Sequence, residues 1–142
     1  MKFISLKIGL AFALWLVVAL PAGALKGVVV IANKGVPVSS LSTAALKDIY
    51  TGKTTYWEDG QSVVIVVLAG KNEDATLNEV SGMDTGQFKT FWQRMVFSGR
   101  GQEPKKANDT ASLVAFIAAT RGAIGIVSAD AELKDVIVLQ IK

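Results

Sequence analysis

The first stretch with possible chemistry is Gly52-Lys53-Thr54, three residues that also close a nucleotide-binding P-loop. That motif needs a glycine five residues before Gly52, and Lys47 stands there. A P-loop must also leave a buried strand and open a helix, so that backbone N–H groups face the phosphates. Here the order is reversed, because Ser42 caps a predicted helix from Thr43 to Tyr50 that Gly52 ends. We therefore interpret Gly52 as a helix terminator.

Two groups of charged residues could bind an ion. The glycine-rich segment Ser98-Gly99-Arg100-Gly101, followed by Lys105 and Lys106, could meet an anion or an acidic partner. We favour an ordinary helix end with solvated charges. The second group is acidic, but its spacing matches no calcium loop, so helix caps and solvated carboxylates are favoured and no metal site is predicted. Its members are Glu73, Asp74, Glu79 and Asp84.

Three aromatic residues, Phe88, Phe91 and Trp92, could form a binding platform. They lie at helical spacing, together with Met95 and Val96 at i+7 and i+8. This pattern is typical of a core-facing helix, so we predict that these side chains are buried.

Composition argues against two classes of function. The 142-residue chain has neither histidine nor cysteine, and no motif supports a Ser–Lys or carboxylate mechanism, so an enzyme is not expected. Without Lys2 and Lys7, 13 basic residues face 12 acidic residues, and no concentrated basic surface indicates nucleic-acid binding. No cofactor is predicted.

The amino terminus has the plan of a secretory signal peptide. Lys2 and Lys7 precede an apolar run at residues 8–20, which is short for a bilayer span, and Ala22-Gly23-Ala24 follows. The alternative is an uncleaved membrane anchor. We predict that residues 1–24 form a cleaved signal peptide and that residues 25–142 form one periplasmic domain.

Buried strands alternate with amphipathic helices along this domain. Continuous apolar runs predict four strands, at residues 27–32, 62–68, 123–127 and 136–141. Helices are predicted at residues 43–50, 75–80, 85–97 and 110–120, with a brief helical turn at 129–133; Asp84 and Gln87 form a capping box. The pattern indicates a single α/β domain with a largely parallel or mixed sheet of about four strands and helices packed on it.

Several separated motifs resemble the phosphate-binding proteins of phosphate ABC transporters, which are periplasmic solute-binding proteins of type II. They include Leu41-Ser42, Gly52-Lys53, Trp57, Asp59-Gly60 and the run from Gly122 to Val127. The segment from Phe91 to Gly101 is similar to short exported proteins of the same superfamily. This resemblance covers about residues 28–127. It implies a single lobe of the periplasmic-binding-protein-like fold, in which Trp57 packs against the domain.

The resemblance also implies where phosphate would bind. In the family, the strand matching residues 63–68 runs into an arginine and then a Ser-Gly-Thr that opens a helix, and phosphate sits on that helix end. Leu68 stands near the arginine position here, and Asn72-Glu73-Asp74 near the Ser-Gly-Thr. These carboxylates would repel a phosphate, so the family's cradle is missing.

Two hypotheses remain from the sequence. The first is an exported domain that binds a ligand weakly or binds a protein, either a membrane transporter or another exported protein. It agrees with the length of the chain, since two-lobed binders are about twice this size. The second is a true receptor for phosphate or another small anion in an ABC transporter, with an unconventional site. The candidate ligand-binding residues for that site are Lys71, Asn72, Thr76, Ser98, Gly99 and Arg100.

Overall fold

A mixed six-stranded sheet forms the centre of the protein, whose computed structural model describes Leu25 and residues 27–70 and 73–142. The strands are β1 (Val28–Asn33), β2 (Ser40–Leu41), β3 (Val64–Leu68), β4 (Lys105–Ala107), β5 (Ala123–Ser128) and β6 (Val136–Ile141). Their order across the sheet is β2-β6-β1-β5-β3-β4. Strand β1 is antiparallel to β5 and β6, whereas β3 is parallel to β4 and β5, and β2 is parallel to β6. The predicted mixed α/β sheet is confirmed.

The number of strands differs from the four that were predicted. Strands β2 and β4 were missed because they are two and three residues long and contain no apolar run. Strand β3 begins at Val64 rather than at Ser62, because Ser62 pairs instead with Tyr56 in an isolated bridge. The short strands lie at the two edges of the sheet, where backbone pairing with a neighbour is the feature that defines them.

Helices cover both faces of the sheet. They are α1 (Thr43–Tyr50), α2 (Asp74–Ser81), α3 (Thr85–Phe97) and α4 (Thr110–Ala119). Apolar side chains of α1, α2 and α3 form one core cluster with residues of β1, β3, β5 and β6, and those of α4 form a second cluster with the alternate residues of the sheet. The domain therefore has three layers. The predicted helical turn at residues 129–133 is wrong, because the chain makes a simple turn after Ser128 there.

Local capping signals operate as predicted. The Ser42 hydroxyl accepts a hydrogen bond from the Ala45 N–H (3.0 Å), and Asp84 and Gln87 form a reciprocal capping box at the start of α3. Gly52 follows α1 with φ of +71°, a left-handed conformation that favours glycine, so its role as a helix terminator is confirmed.

The aromatic prediction is confirmed for Phe88 and Trp92, whereas Phe91 is half-buried and packs against the same core cluster. Phe88 and Trp92 are each 4% exposed, and the Trp92 indole N–H donates to the Tyr50 carbonyl oxygen (3.2 Å). The prediction is wrong for Val96, which is 42% exposed, because the buried face of α3 ends at Met95. On α4, the buried residues are Leu113, Val114 and Ile117, whereas Phe116 is 36% exposed.

The residue before β5, Gly122, must be a glycine for two structural reasons. Its φ is +78°, and a Cβ atom there would lie 2.1 Å from the Ser62 carbonyl oxygen. Its own carbonyl oxygen accepts hydrogen bonds from the Trp57 indole (2.9 Å) and from the Val64 N–H (3.0 Å). Trp57 is 5% exposed, so it packs against the domain as expected.

The predicted signal peptide, residues 1–24, lies outside the described residues. Within the part of the chain that the structure describes, no helix is long and apolar enough to cross a bilayer.

Candidate functional site

Two helices begin at one edge of the sheet. Strands β3, β4 and β5 are parallel, so their carboxyl ends lie at the same edge. Helix α2 follows β3 and helix α4 follows β4, so the amino termini of both helices lie on this side. The crevice outside such strand ends is where open α/β sheets bind ligands, and helix amino termini there attract anions. The fold therefore favours an anion site at this edge.

The helix amino termini at this edge carry their own carboxylates. Asp109 caps α4 by accepting a hydrogen bond from the Ser112 N–H (2.7 Å), which lowers the pKa of Asp109. Asp74, in the first turn of α2, accepts hydrogen bonds from the hydroxyl and the N–H of Thr85, and these lower the pKa of Asp74. Both groups are negatively charged at neutral pH. The partial positive charge of each helix end is therefore offset within the chain.

The strand end beside α2 is apolar. Leu68 borders a narrow cavity of 140 Å³, together with Val67, Leu77, Phe88 and Trp92, while Lys89, Glu103 and Lys106 also reach it. Glu73 stands just before α2, and partial burial raises the pKa of Glu73. A phosphate at this position would meet an apolar wall and additional carboxylates.

The candidate residues do not form one cluster. Lys71 and Asn72 lie outside the described residues. Thr76 lies on α2 and borders, with Glu73 and Leu68, a crevice of 20 Å³, which has room for about one water molecule. Gly99 and Arg100 border a different cavity, beside the amino-terminal half of β3. Thr76 and the Ser98–Arg100 segment are thus near opposite ends of that strand.

Backbone groups of the Ser98–Arg100 segment close the end of α3. The N–H of Ser98 donates to the Arg94 carbonyl (3.0 Å), that of Gly99 to Val96 (3.0 Å), and that of Arg100 to Met95 (2.9 Å). With Gly99 at φ of +73°, the last two bonds form a Schellman motif. The Ser98 hydroxyl also donates to the Met95 carbonyl (3.1 Å). These donors are used by the helix end, so the Arg100 side chain is the group of this segment that can meet a ligand.

Two more cations that the sequence placed in this basic loop belong to the sheet instead. Lys105 and Lys106 form β4, the short edge strand that pairs with β3. Both residues are exposed, and lysine on an edge strand discourages pairing with another chain. Of the three cations that the sequence assigned to the basic loop, Arg100 alone lies in the loop after α3.

The cavity beside Arg100 has a volume of 370 Å³ and was not predicted from the sequence. Strand β4 pairs with Val66–Leu68, which leaves the sheet open beside Val64 and Ile65, and the cavity occupies this opening. Its lining residues come from two distant stretches of the chain, residues 49–65 and 92–103, and the sequence had indicated possible chemistry within them at Gly52-Lys53-Thr54 and at Ser98–Gly101. Its polar lining includes Thr54, Thr55, Tyr56, Ser62, Arg100 and Glu103.

Cation coordination has little support in this arrangement. Among the described residues, no three aspartate or glutamate side chains come together in a group that could hold a metal ion.

Comparison with known proteins identifies the fold. The family model for a PBP superfamily domain matches residues 23–139. A protein described as a phosphate ABC transporter substrate-binding protein from Clostridium perfringens, solved with bound phosphate, is 22% identical (TM-score 0.62), over 81% of this chain and 44% of that one. An ABC-type phosphate transport receptor from Vibrio cholerae is 20% identical (TM-score 0.56), over 81% and 46% of the two chains.

A phosphate-binding protein from Stenotrophomonas maltophilia is 18% identical (TM-score 0.59), over 82% of this chain and 39% of its own. At these identities the likeness shows the fold, and the chain spans less than half the length of these structures. The sheet and helices match a single lobe of the periplasmic-binding-protein-like fold. No curated protein sequence matches the chain.

Proposed function

The chain belongs to the PBP superfamily, and from this premise we propose that it is an exported binding module without the usual phosphate cradle. It is related to the substrate-binding proteins of phosphate ABC transporters. The observation that carries the proposal is the pair of ionised carboxylates, Asp74 and Asp109, at the starts of α2 and α4, together with the apolar lining around Leu68.

Electrostatics at the carboxyl ends of the strands supports this proposal. A phosphate dianion must exchange its hydration shell for donors and positive charge. Asp74 and Asp109 already accept the nearby N–H groups of Thr85 and Ser112, and their charges oppose a second anion. Leu68 provides no donor in place of the family's arginine. A single lobe also covers one side of a ligand, so desolvation from all sides is hard to arrange.

The amino-terminal segment suggests where the module acts. We propose that the amino-terminal segment exports it to the periplasm, where it binds a small ligand, a membrane transporter or another exported protein. We assign it no catalytic role, because the chain has no histidine or cysteine and no motif for another nucleophile.

The alternative, a true receptor for phosphate or another oxyanion, is favoured by the side chains of Lys89 and Lys106, which reach the 140 Å³ cavity beside Leu68. Two lysines could balance part of the charge of an anion. They would have to overcome Glu103 at the same cavity and Asp74 at the start of α2.

Isothermal titration of residues 25–142 with phosphate distinguishes the binding module without a phosphate cradle from the true oxyanion receptor. The residues of both core clusters lie between positions 25 and 141, so this part contains the described core. We expect no micromolar binding, since losing one bidentate charged contact costs a few kcal/mol and each 1.4 kcal/mol is about tenfold in affinity. Any residual binding should lie in the millimolar range or weaker.

The protein must first be unfolded, dialysed and refolded to remove phosphate that was carried through purification. A dissociation constant of a few micromolar, lost when Lys71, Lys106 or Arg100 is changed to Ala, would show that the oxyanion receptor is the correct assignment. The Lys53→Ala variant is the matched control, because Lys53 is exposed and borders neither cavity.

A further inference from the structure

We propose that the 370 Å³ cavity beside Arg100 binds a small zwitterion, namely an α-amino acid with an apolar side chain. The inference rests on the proposed binding function and names its ligand class. The site lies beside the amino-terminal half of β3, away from the carboxyl ends of β3, β4 and β5.

Opposite charges border the cavity without neutralising each other. Arg100 and Glu103 both contribute to its lining. Within residues 27–70 and 73–142, the one ion pair joins Lys34 and Asp135, so Arg100 and Glu103 do not form an ion pair. A ligand that carries both a carboxylate and an ammonium group would satisfy the two side chains together. Guanidinium binds carboxylate in a bidentate manner, and a carboxylate accepts hydrogen bonds from ammonium.

The segment that carries these charges is anchored to the helix before it. The Arg100 N–H donates to the Met95 carbonyl, which fixes the backbone at Arg100. The next residue, Gly101, lies against Trp92 so closely that a Cβ atom there would be 2.9 Å from Cζ3 of the indole ring. Since a pre-ordered backbone loses less entropy on binding, this anchoring favours a ligand at Arg100.

The remaining lining suits an apolar side chain and polar edges. Ile49, Ile65 and Trp92 are each at most 5% exposed and form an apolar floor. Thr54, Thr55 and Ser62 add hydroxyl groups that can donate or accept hydrogen bonds. Ligand pockets span about 300–1,000 Å³, so a cavity of 370 Å³ matches a small metabolite.

Other ligand classes fit this lining less well. A phosphate would find one cation, Arg100, and would be repelled by Glu103. A purely apolar ligand would leave both charges and the three hydroxyl groups without partners after they lose their water.

The test is a calorimetric titration of residues 25–142 with L-leucine, L-leucinamide and N-acetyl-L-leucine. The amide lacks the carboxylate charge, and the acetylated compound lacks the ammonium charge. We expect L-leucine to bind and each of the other two to bind about ten- to a hundredfold more weakly, as for the loss of one charged hydrogen bond.

Two variants connect each charge of the ligand with one residue. Arg100→Gln should bind L-leucine and L-leucinamide equally weakly, and Glu103→Gln should do the same for L-leucine and N-acetyl-L-leucine. Arg94→Gln and Glu132→Gln are the controls, since both residues are exposed and neither borders this cavity. Both controls should retain the preference for the zwitterion.

Three results would overturn the inference. The first is that L-alanine, L-leucine and L-phenylalanine all fail to bind at about 10 mM, well above a millimolar dissociation constant. The second is equal binding of the three leucine compounds, and the third is unchanged selectivity in both variants. A parallel phosphate titration distinguishes failure of the proposed function from failure of this inference. Micromolar phosphate binding would contradict the proposed function, whereas the amino-acid titrations alone decide whether the 370 Å³ cavity binds a zwitterion.

Discussion

At the scale of single residues, Trp92 connects the core to the cavity. Its ring packs edge-on against Phe88 (6.3 Å between ring centroids) and Phe91 (5.8 Å), and its indole N–H donates to Tyr50. The same ring lies under Gly101 at the floor of the 370 Å³ cavity. One side chain therefore supports both the packing of α3 and the loop that carries Arg100.

Truncating this side chain should be costly. Trp92→Ala is expected to lower the free energy of unfolding by about 3–5 kcal/mol, because it removes a buried aromatic ring and leaves a void. Phe97→Ala on the same helix is the matched control, since Phe97 is 96% exposed, and it should change the free energy by about 0.5 kcal/mol or less. Urea unfolding measures both, and equal values for the two variants would show that Trp92 is not a core residue.

At the scale of elements, aspartates and a serine determine where the helices begin. Ser42, Asp84 and Asp109 each accept a backbone N–H from the first turn of α1, α3 and α4. This arrangement leaves the amino termini of α3 and α4 with internal partners. At α4 it also makes stability depend on the ionisation of Asp109, whose pKa is lowered by this hydrogen bond.

The pH dependence of α4 capping has a definite sign. The Ser112 N–H holds the pKa of Asp109 below its usual range in the folded protein. A depressed folded pKa contributes stability above the unfolded pKa, and that stability is lost as the pH falls through the folded pKa. We expect the fall in unfolding free energy between pH 7 and about pH 3 to be smaller in Asp109→Asn than in the wild type.

Urea unfolding at both pH values measures this difference, with Glu132→Gln as a control at an exposed glutamate. An acid-induced loss in Asp109→Asn as large as in the wild type would show that the Asp109 cap contributes no pH dependence. At Glu73, burial raises the pKa, so the ionised carboxylate destabilises the folded protein near neutral pH. Glu73→Gln should therefore increase the free energy of unfolding at pH 7, whereas Asp109→Asn removes a stabilising charge.

At the scale of the whole molecule, the domain is one three-layered lobe. It covers less than half the length of the phosphate-binding protein structures that it matches. Its parallel strands direct their carboxyl ends to an edge with ionised Asp74 and Asp109, while the 370 Å³ cavity lies beside the amino-terminal half of β3. The lobe therefore has the family's fold, and we propose that it presents different chemistry on that fold.

Export is tested on the 142-residue chain. When it is expressed in an exporting bacterium, we expect a soluble periplasmic product that begins at Leu25, because a small residue at Ala22 and at Ala24 suits signal-peptide cleavage. Intact mass and amino-terminal sequencing identify the start. The Ala24→Leu variant should remain unprocessed, and a wild-type product in the membrane that retains residues 1–24 would support the uncleaved anchor instead.

The sequence by itself determined the features that depend on neighbouring residues. Ser42, Asp84 with Gln87, and Gly52 indicated helix ends because a cap acts within one turn of its own helix. Continuous apolar runs predicted β1, β3, β5 and β6, because each of these strands has to bury a row of side chains. The separated motifs from Leu41 to Val127 led to the family, and Leu68 and Glu73 led to the proposal that its phosphate cradle is missing.

The tertiary structure alone decided the features that depend on distant segments. Strands β2 and β4 exist because their backbones pair with β6 and β3, and no side-chain pattern in two or three residues could reveal that. The exposure of Val96 follows from where the core ends beneath α3. The 370 Å³ cavity arises where residues 49–56, 62–65 and 99–103 meet Trp92, because β4 pairs with β3 from Val66 onwards and leaves the sheet open beside Val64 and Ile65.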